Sequence, residues 1–265
     1  MQKREDLQAL FAKALENHQQ GQLQEAQKIY LGIVQLIPDS GPIWALLGTL
    51  MIQLEQISLG IRYFALSLNL DPFNPATRSN LGNAFREISD HTKAGDQLRF
   101  SLVLKPDHID ALLNLGQVLR EQKDPILAGR YIEHAIKVTP NLPEPRIALA
   151  MAMTDAGHIG RGFTLFKAAI ILYPSGSPAY SHFGDSLISA GDFGLAVDLF
   201  KRAIHIVPNT PQAFFGLGNA YLASHEYQKA IYNFDSALQS DNKLALRACL
   251  GIAACLVGLG NRHAS

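Results

Sequence analysis

The chain has 265 residues, 48% of them hydrophobic, and carries 23 Lys+Arg against 23 Asp+Glu. A net charge near zero argues against a binder of phosphate backbones, which needs a positive surplus on one face. Two cysteines, Cys249 and Cys255, make no disulfide framework, the first residues lack the apolar core of a signal peptide, and no run before residue 244 approaches membrane-spanning length; a cytoplasmic chain without a membrane span is expected.

Along the chain, Pro38, Pro72, Pro106, Pro140, Pro174 and Pro208 recur every 34 residues. A fixed period of this size is the mark of stacked repeats. With the proline at position 32, the units are 7–40, 41–74, 75–108, 109–142, 143–176, 177–210 and 211–244, and an incomplete eighth follows over 245–265. One repeat domain over 1–265 is therefore expected. Asn242 stands where a seventh proline would fall.

Each unit reads as two helices. Position 7 is Leu47, Leu81, Leu115, Leu149, Phe183 and Leu217 from the second unit on. Position 8 is Gly or Ala throughout, as in Gly48, Gly82, Gly116, Ala150, Gly184 and Gly218. Positions 4, 7, 8 and 11 share one face of a first helix, and positions 20, 24, 27 and 28 one face of a second. Gly21, Asp90, Asp124, Gly157 and Gly191 mark the turn between them. The proline ends the second helix and restricts the residue before it. Asp, Asn or Ser often follows, as in Pro38-Asp39-Ser40 and Pro208-Asn209-Thr210, and these residues are expected to cap the next helix. A helical glycine costs roughly 1 kcal/mol relative to Ala. Its recurrence at position 8 points to close helix approach, beside the large side chain at position 24 (Tyr30, Phe64, Leu98, Ile132, Phe166, Phe200, Phe234).

Trp44-x-x-Leu47-Gly48 and Phe214-x-x-Leu217-Gly218-x-x-Tyr221, followed by Ala230-x-x-x-Phe234, resemble the tetratricopeptide repeat (TPR). The resemblance spans 7–244 and part of the tail. Arg78 and Arg146 depart from it, taking an aromatic or aliphatic place at position 4. It implies an all-α, right-handed superhelix of seven repeats plus a terminal helix, whose first helices line a concave groove for a peptide or partner protein. Asn80 and Asn114 at position 6 are also similar, over two units, to the asparagine ladder in the TPR arm of protein O-linked N-acetylglucosamine transferases and bacterial relatives. Lys is absent from positions 2 and 5 of units three to five, so a clamp for a C-terminal carboxylate is not expected.

Motifs for chemistry are few. His225-Glu226-Tyr227-Gln228-Lys229 lacks the second histidine of a zinc-binding helix, and Gly216-Leu217-Gly218 sits in a helical pattern with no strand before it. The cysteines read as inert core thiols. Neither enzyme activity, a metal nor a cofactor is expected.

In the family, positions 2, 6, 9 and 13 face the groove, and they also form one stripe by spacing. They supply Asn80, Asn114 and His182 at position 6, Asn83, Gln117, Asp185 and Asn219 at position 9, and Glu87, Glu121 and Asp155 at position 13. Carboxamides can donate to and accept from a peptide main chain. The acids suit a ligand with basic side chains. Arg86 and Arg120 could instead be held by nearby carboxylates.

From Leu244 to Gly260 the only charged residue is Arg247, where a terminal unit normally shows a polar face. The eighth unit fits after one inserted residue, with Ile252, Ala253, Leu256 and Gly260 in register. An association surface through Leu250 and Leu256 is expected, for another copy or a further domain. The expected function is a non-enzymatic protein-binding scaffold without nucleic-acid partners. Two alternatives stand beside it: the substrate-recruiting region of a larger enzyme such as a glycosyltransferase, and a self-assembling structural subunit.

Overall fold

In a computed structural model, residues 2–239 and 244–263 are described, and among them there are helices and no strand. Asn242 lies outside the described residues. The helices are α1 (Gln2–Gln19), α2 (Leu23–Leu36), α3 (Gly41–Gln53), α4 (Ile57–Leu70), α5 (Pro75–Glu87), α6 (His91–Leu104), α7 (Ile109–Glu121), α8 (Pro125–Val138), α9 (Pro143–Asp155), α10 (Ile159–Leu172), α11 (Ser177–Ala190), α12 (Phe193–Ile206), α13 (Pro211–Ala223), α14 (Tyr227–Leu238) and α15 (Ala245–His263). They form two compact units, Met1–Val138 and Thr139–Ser265.

Local chemistry sets the helix ends. The residue before a repeat proline leaves the helical conformation at Ile37 (φ −137°), Asp71 (φ −134°), Lys105 (φ −141°), Tyr173 (φ −142°) and Val207 (φ −130°). Second helices are capped by Asp90, Asp124 and Asp192, whose carboxylates accept the backbone N–H three residues on. Among first helices Asn74 does the same for Thr77. Ser40 and Thr210 stand at N-cap positions, but neither side chain makes the capping bond. Thr210 Oγ1 turns back and donates to the Val207 carbonyl at 2.7 Å.

The turn inside every hairpin passes through a left-handed residue at position 15. Gly21, Gly157 and Gly191 occupy it in three units, and Glu55, Ser89, Lys123 and His225 occupy it in the other four at φ 61–66°. Only glycine reaches this region without cost, so the four non-glycine turns are held there by the helices on either side.

Packing follows the small-against-large logic of positions 8 and 24. A Cβ on Gly48 would lie 2.6 Å from the Phe64 ring, one on Gly116 2.6 Å from Ile132, and one on Gly218 2.7 Å from the Phe234 ring. The backbones also approach: a Cβ on Gly60 would come within 3.0 Å of the Gly48 carbonyl oxygen. In the first unit Ala14, Tyr30, Leu47, Leu50 and Met51 make one buried cluster and Phe64, Leu68 and Leu81 another. In the second, Phe166, Phe183, Phe200, Leu217, Phe234 and Cys255 form a continuous core, with Phe166 stacked on Phe183 at 5.2 Å.

Position 4 shows why Arg78 and Arg146 are tolerated. Trp44 Nε1 donates to the Pro38 carbonyl at 2.8 Å, and the Tyr180 hydroxyl donates to that of Pro174 at 3.0 Å. Arg78 donates twice to Pro72 O, at 2.9 and 2.7 Å, and Arg146 donates to Pro140 O at 2.6 Å. In these four repeats position 4 holds an apolar body with a donor at its tip, and Arg provides both, whereas Leu112 and Phe214 supply the apolar body alone. The Arg78 guanidinium also lies 3.9 Å from the Phe100 ring centre.

In α15, Gly251 packs on the Phe234 ring as Gly216 packs on Phe200. That equivalence of position 6 supports the register with one inserted residue. Ala253 and Leu256 are nevertheless exposed, because no second helix among the described residues lies over them.

Candidate functional site

The stripe of positions 6, 9 and 13 lies on first helices, and these helices neighbour one another within each unit: α3 with α5, α5 with α7, α9 with α11, α11 with α13 and α13 with α15. In the first unit the stripe is largely tied together. Arg86, on α5, donates from Nε and Nη2 to the Asn83 carboxamide oxygen at 3.2 and 3.0 Å. Its Nη1 reaches across to Glu121 on α7 at 3.2 Å. Gln117 donates to the same Glu121 oxygen at 2.9 Å, and Arg120 donates to Gln117 at 2.7 Å. Asn83 donates to Glu87 at 3.4 Å, and His91 sits 3.4 Å from the other Glu121 oxygen. Asn83, Glu87, Gln117 and Glu121 thus satisfy one another through two arginines. Asn80, exposed, and Asn114, half-buried, flank this network without hydrogen-bonding to any described residue.

In the second unit the stripe opens into a cavity of about 590 Å³. His182 and Asp185 come from α11, Asn219 from α13, and Arg247 from α15, with Pro178, Val207, Phe215 and Leu244 as apolar walls. Asp185 meets the open hollow with its own surface, yet protein crowds the carboxylate on most sides. That crowding pushes its pKa up to about 6, against the opposing pull of Arg247. The Arg247 guanidinium lies 4.7 Å from the Phe215 ring centre. Asp155 is exposed near the end of α9, outside the lining of this cavity.

Sequence reasoning missed Ser181, Gln212, Phe215 and Arg247 as lining residues. Gln212 is at position 2 of its repeat, which the stripe includes. Arg247 lies in the terminal helix, where the repeat register is shifted.

The chain is similar to proteins of known fold over nearly its full length. A tetratricopeptide-repeat family model matches residues 109–142, and a second TPR model matches 184–224. The chain carries tetratricopeptide repeats and has the TPR fold. The crystal structure of a TPR protein from Parabacteroides merdae aligns with a TM-score of 0.80 at 17% identity, covering 95% of this chain and 99% of that one. Cut9, from the APC/C hetero-tetramer Cut9–Hcn1, aligns at 0.73 and 16% identity over 92% of this chain and 48% of its own. YrrB, a TPR protein with an unusual peptide-binding site, aligns at 0.50 and 19% identity over 69% of this chain and 95% of its own. A comparison with curated protein sequences gives no match. The TPR fold supports a general role in protein–protein interaction.

Other expected features have definite places. Leu250 and Leu256 are 63% and 57% exposed on α15, beside Leu246 and Val257. Cys255 is buried, which pushes its thiol pKa up and suits an inert residue. Cys249, expected in the core, is exposed, because it lies on the uncovered side of the helix. No helix among the described residues is long and apolar enough to cross a membrane, and no His, Cys, Asp and Glu cluster among them could hold a metal ion.

Proposed function

We propose that this TPR protein is a non-catalytic scaffold that holds an extended peptide of a partner against its first helices. The observation that carries the reading is Asn80 and Asn114. They stand one repeat apart, keep their donors and acceptors unused among the described residues, and flank side chains immobilised by the Arg86–Glu121 network. A carboxamide in that state can pair with both the N–H and the C=O of a peptide main chain. The peptide-binding site of YrrB lends the reading support by analogy alone. In the test, dodecapeptides are selected from a random display library on the full chain, and their affinities measured for wild type and for Asn80→Ala/Asn114→Ala. A loss of tenfold or more in the double variant is expected. Undiminished affinity for every selected peptide would refute the asparagine assignment.

A second reading concerns α15. Leu246, Leu250, Leu256 and Val257 are each more than half exposed, an apolar face larger than scattered surface residues make. We infer that this face associates with another copy of the chain. Light scattering should show mass rising with concentration, and Leu250→Glu/Leu256→Glu should hold the protein monomeric. A wild-type monomer at high concentration would refute it.

A further inference from the structure

We propose that the cavity formed by α11, α13 and α15 is a subsite for a lysine side chain of the bound peptide, with the ammonium on the Asp185 carboxylate and the aliphatic stem along Phe215 and Val207. The inference rests on the peptide-scaffold reading above and narrows it to a ligand class.

Four polar side chains converge on this cavity without any hydrogen bond from their side chains to a described residue: Ser181, Asp185, Gln212 and Asn219. A cavity of about 590 Å³ with apolar walls and a few convergent polar groups is the usual form of a ligand site. All four can accept hydrogen bonds. An ammonium, with three donors and no acceptor, is the group whose needs they match. A lysine stem would cover apolar wall while its head reached the carboxylate.

The carboxylate, left without a hydrogen-bond donor from any described side chain, favours a cation over an anion. The ionisable groups lining the cavity are His182 on the same helix as Asp185 and Arg247 on α15; α13 and the segment before it contribute none. Arg247 pulls on Asp185 from across the cavity but forms no ion pair with it, its guanidinium lying over the face of Phe215 at 4.7 Å. That ring position also disfavours an arginine ligand, which would compete for the same face. Surrounding protein disfavours the ionised carboxylate although solvent still reaches it, and an incoming ammonium would stabilise that form. Binding of such a cation needs Asp185 ionised, so it weakens as pH falls through that value.

The test uses the full chain and the peptides selected from the random dodecapeptide library. The expected result is a recurring lysine whose replacement by norleucine costs at least tenfold in affinity. In Asp185→Asn, checked for an unaltered melting curve, the lysine and norleucine peptides should bind alike. For wild type, the lysine peptide should weaken between pH 8 and pH 5 while the norleucine peptide does not. Selected peptides without lysine, norleucine binding as tightly as lysine, or a lysine preference that survives Asp185→Asn would each overturn the subsite and leave the scaffold reading standing. A library that yields no binder at all would overturn both.

Discussion

The same stripe of the repeat has opposite states in the two units. Around α5 and α7, Asn83, Gln117 and Glu121 are held by Arg86, Arg120 and one another. Around α11 and α13, Asp185 and Asn219 face a cavity without such partners. The difference lies at position 12. It is Arg86 and Arg120 in the third and fourth repeats, but Ile188 and Leu222 in the sixth and seventh, where both pack into the core. Each arginine, three residues after position 9, folds back on it, and Arg86 also reaches the next first helix. An aliphatic residue there leaves position 9 available. In these repeats one stretch of the stripe is tied by its own hydrogen bonds and another is not, and position 12, outside the stripe, is where they differ.

The strongest perturbation tests whether the two units share one packing rule beneath this contrast. Gly116→Leu should destabilise by about 1–3 kcal/mol through overpacking against Ile132. Gly184→Leu should cost about 3 kcal/mol, because it meets the rigid Phe200 ring, at 2.8 Å from a Cβ, and that ring is clamped from the other side by Gly216. Thermal melts of both variants decide; equal or absent losses would break the rule.

Next comes the network itself. Arg86→Ala leaves Glu121 half-buried without its guanidinium, and a loss of about 1–2 kcal/mol is expected in urea denaturation. The converse change, Ile188→Arg, places a cation one helical turn after Asp185. It should bring the Asp185 pKa down from about 6 toward the ordinary carboxylate range, seen by NMR titration of the carboxyl carbon. An unmoved titration would show that position 12 does not control the site.

A weaker effect separates the turns. At position 15 Glu55, Ser89, Lys123 and His225 take the left-handed conformation that Gly21, Gly157 and Gly191 take in the other repeats. Lys123→Gly should stabilise by roughly 0.5–1 kcal/mol, the relief of a left-handed backbone less the added freedom of the unfolded chain. Destabilisation would mean that the Lys123 side chain contributes more than its backbone strain costs.

The weakest is linked to pH. Asp185 has a folded pKa of about 6, above its unfolded value near 3.8. Ionisation therefore costs stability progressively as pH rises from about 4 through 6, and the cost is constant above that. Asp185→Asn should be more stable than wild type at pH 8 by under about 1 kcal/mol, since solvent reaches the carboxylate, and the advantage should vanish below pH 4. An advantage independent of pH would assign it to packing.

Much of this was legible in the residues alone. The period placed the helices, the non-helical residue before a repeat proline followed from ring sterics, and the glycines at position 8 pointed to the contacts found at Phe64, Ile132 and Phe234. Arg78 and Arg146 looked like departures because a pattern of residue types hides what Trp44 and Tyr180 share with them, a donor aimed at a proline carbonyl. Capping by Ser40 and Thr210 was inferred from residue type, but the hydroxyl of Thr210 found a nearer carbonyl.

The repeat, the hairpins, the turn position and the small-against-large core were all written in the order of the residues, because each depends on backbone sterics and on side chains at fixed offsets. Which inner-face residues are spent and which are left over was settled by packing in three dimensions. Arg86 meets Glu121 across two helices, and Arg247 joins Asp185 in one cavity, through distances and directions between side chains far apart in the chain. Periodicity sets where such side chains start, not where they end.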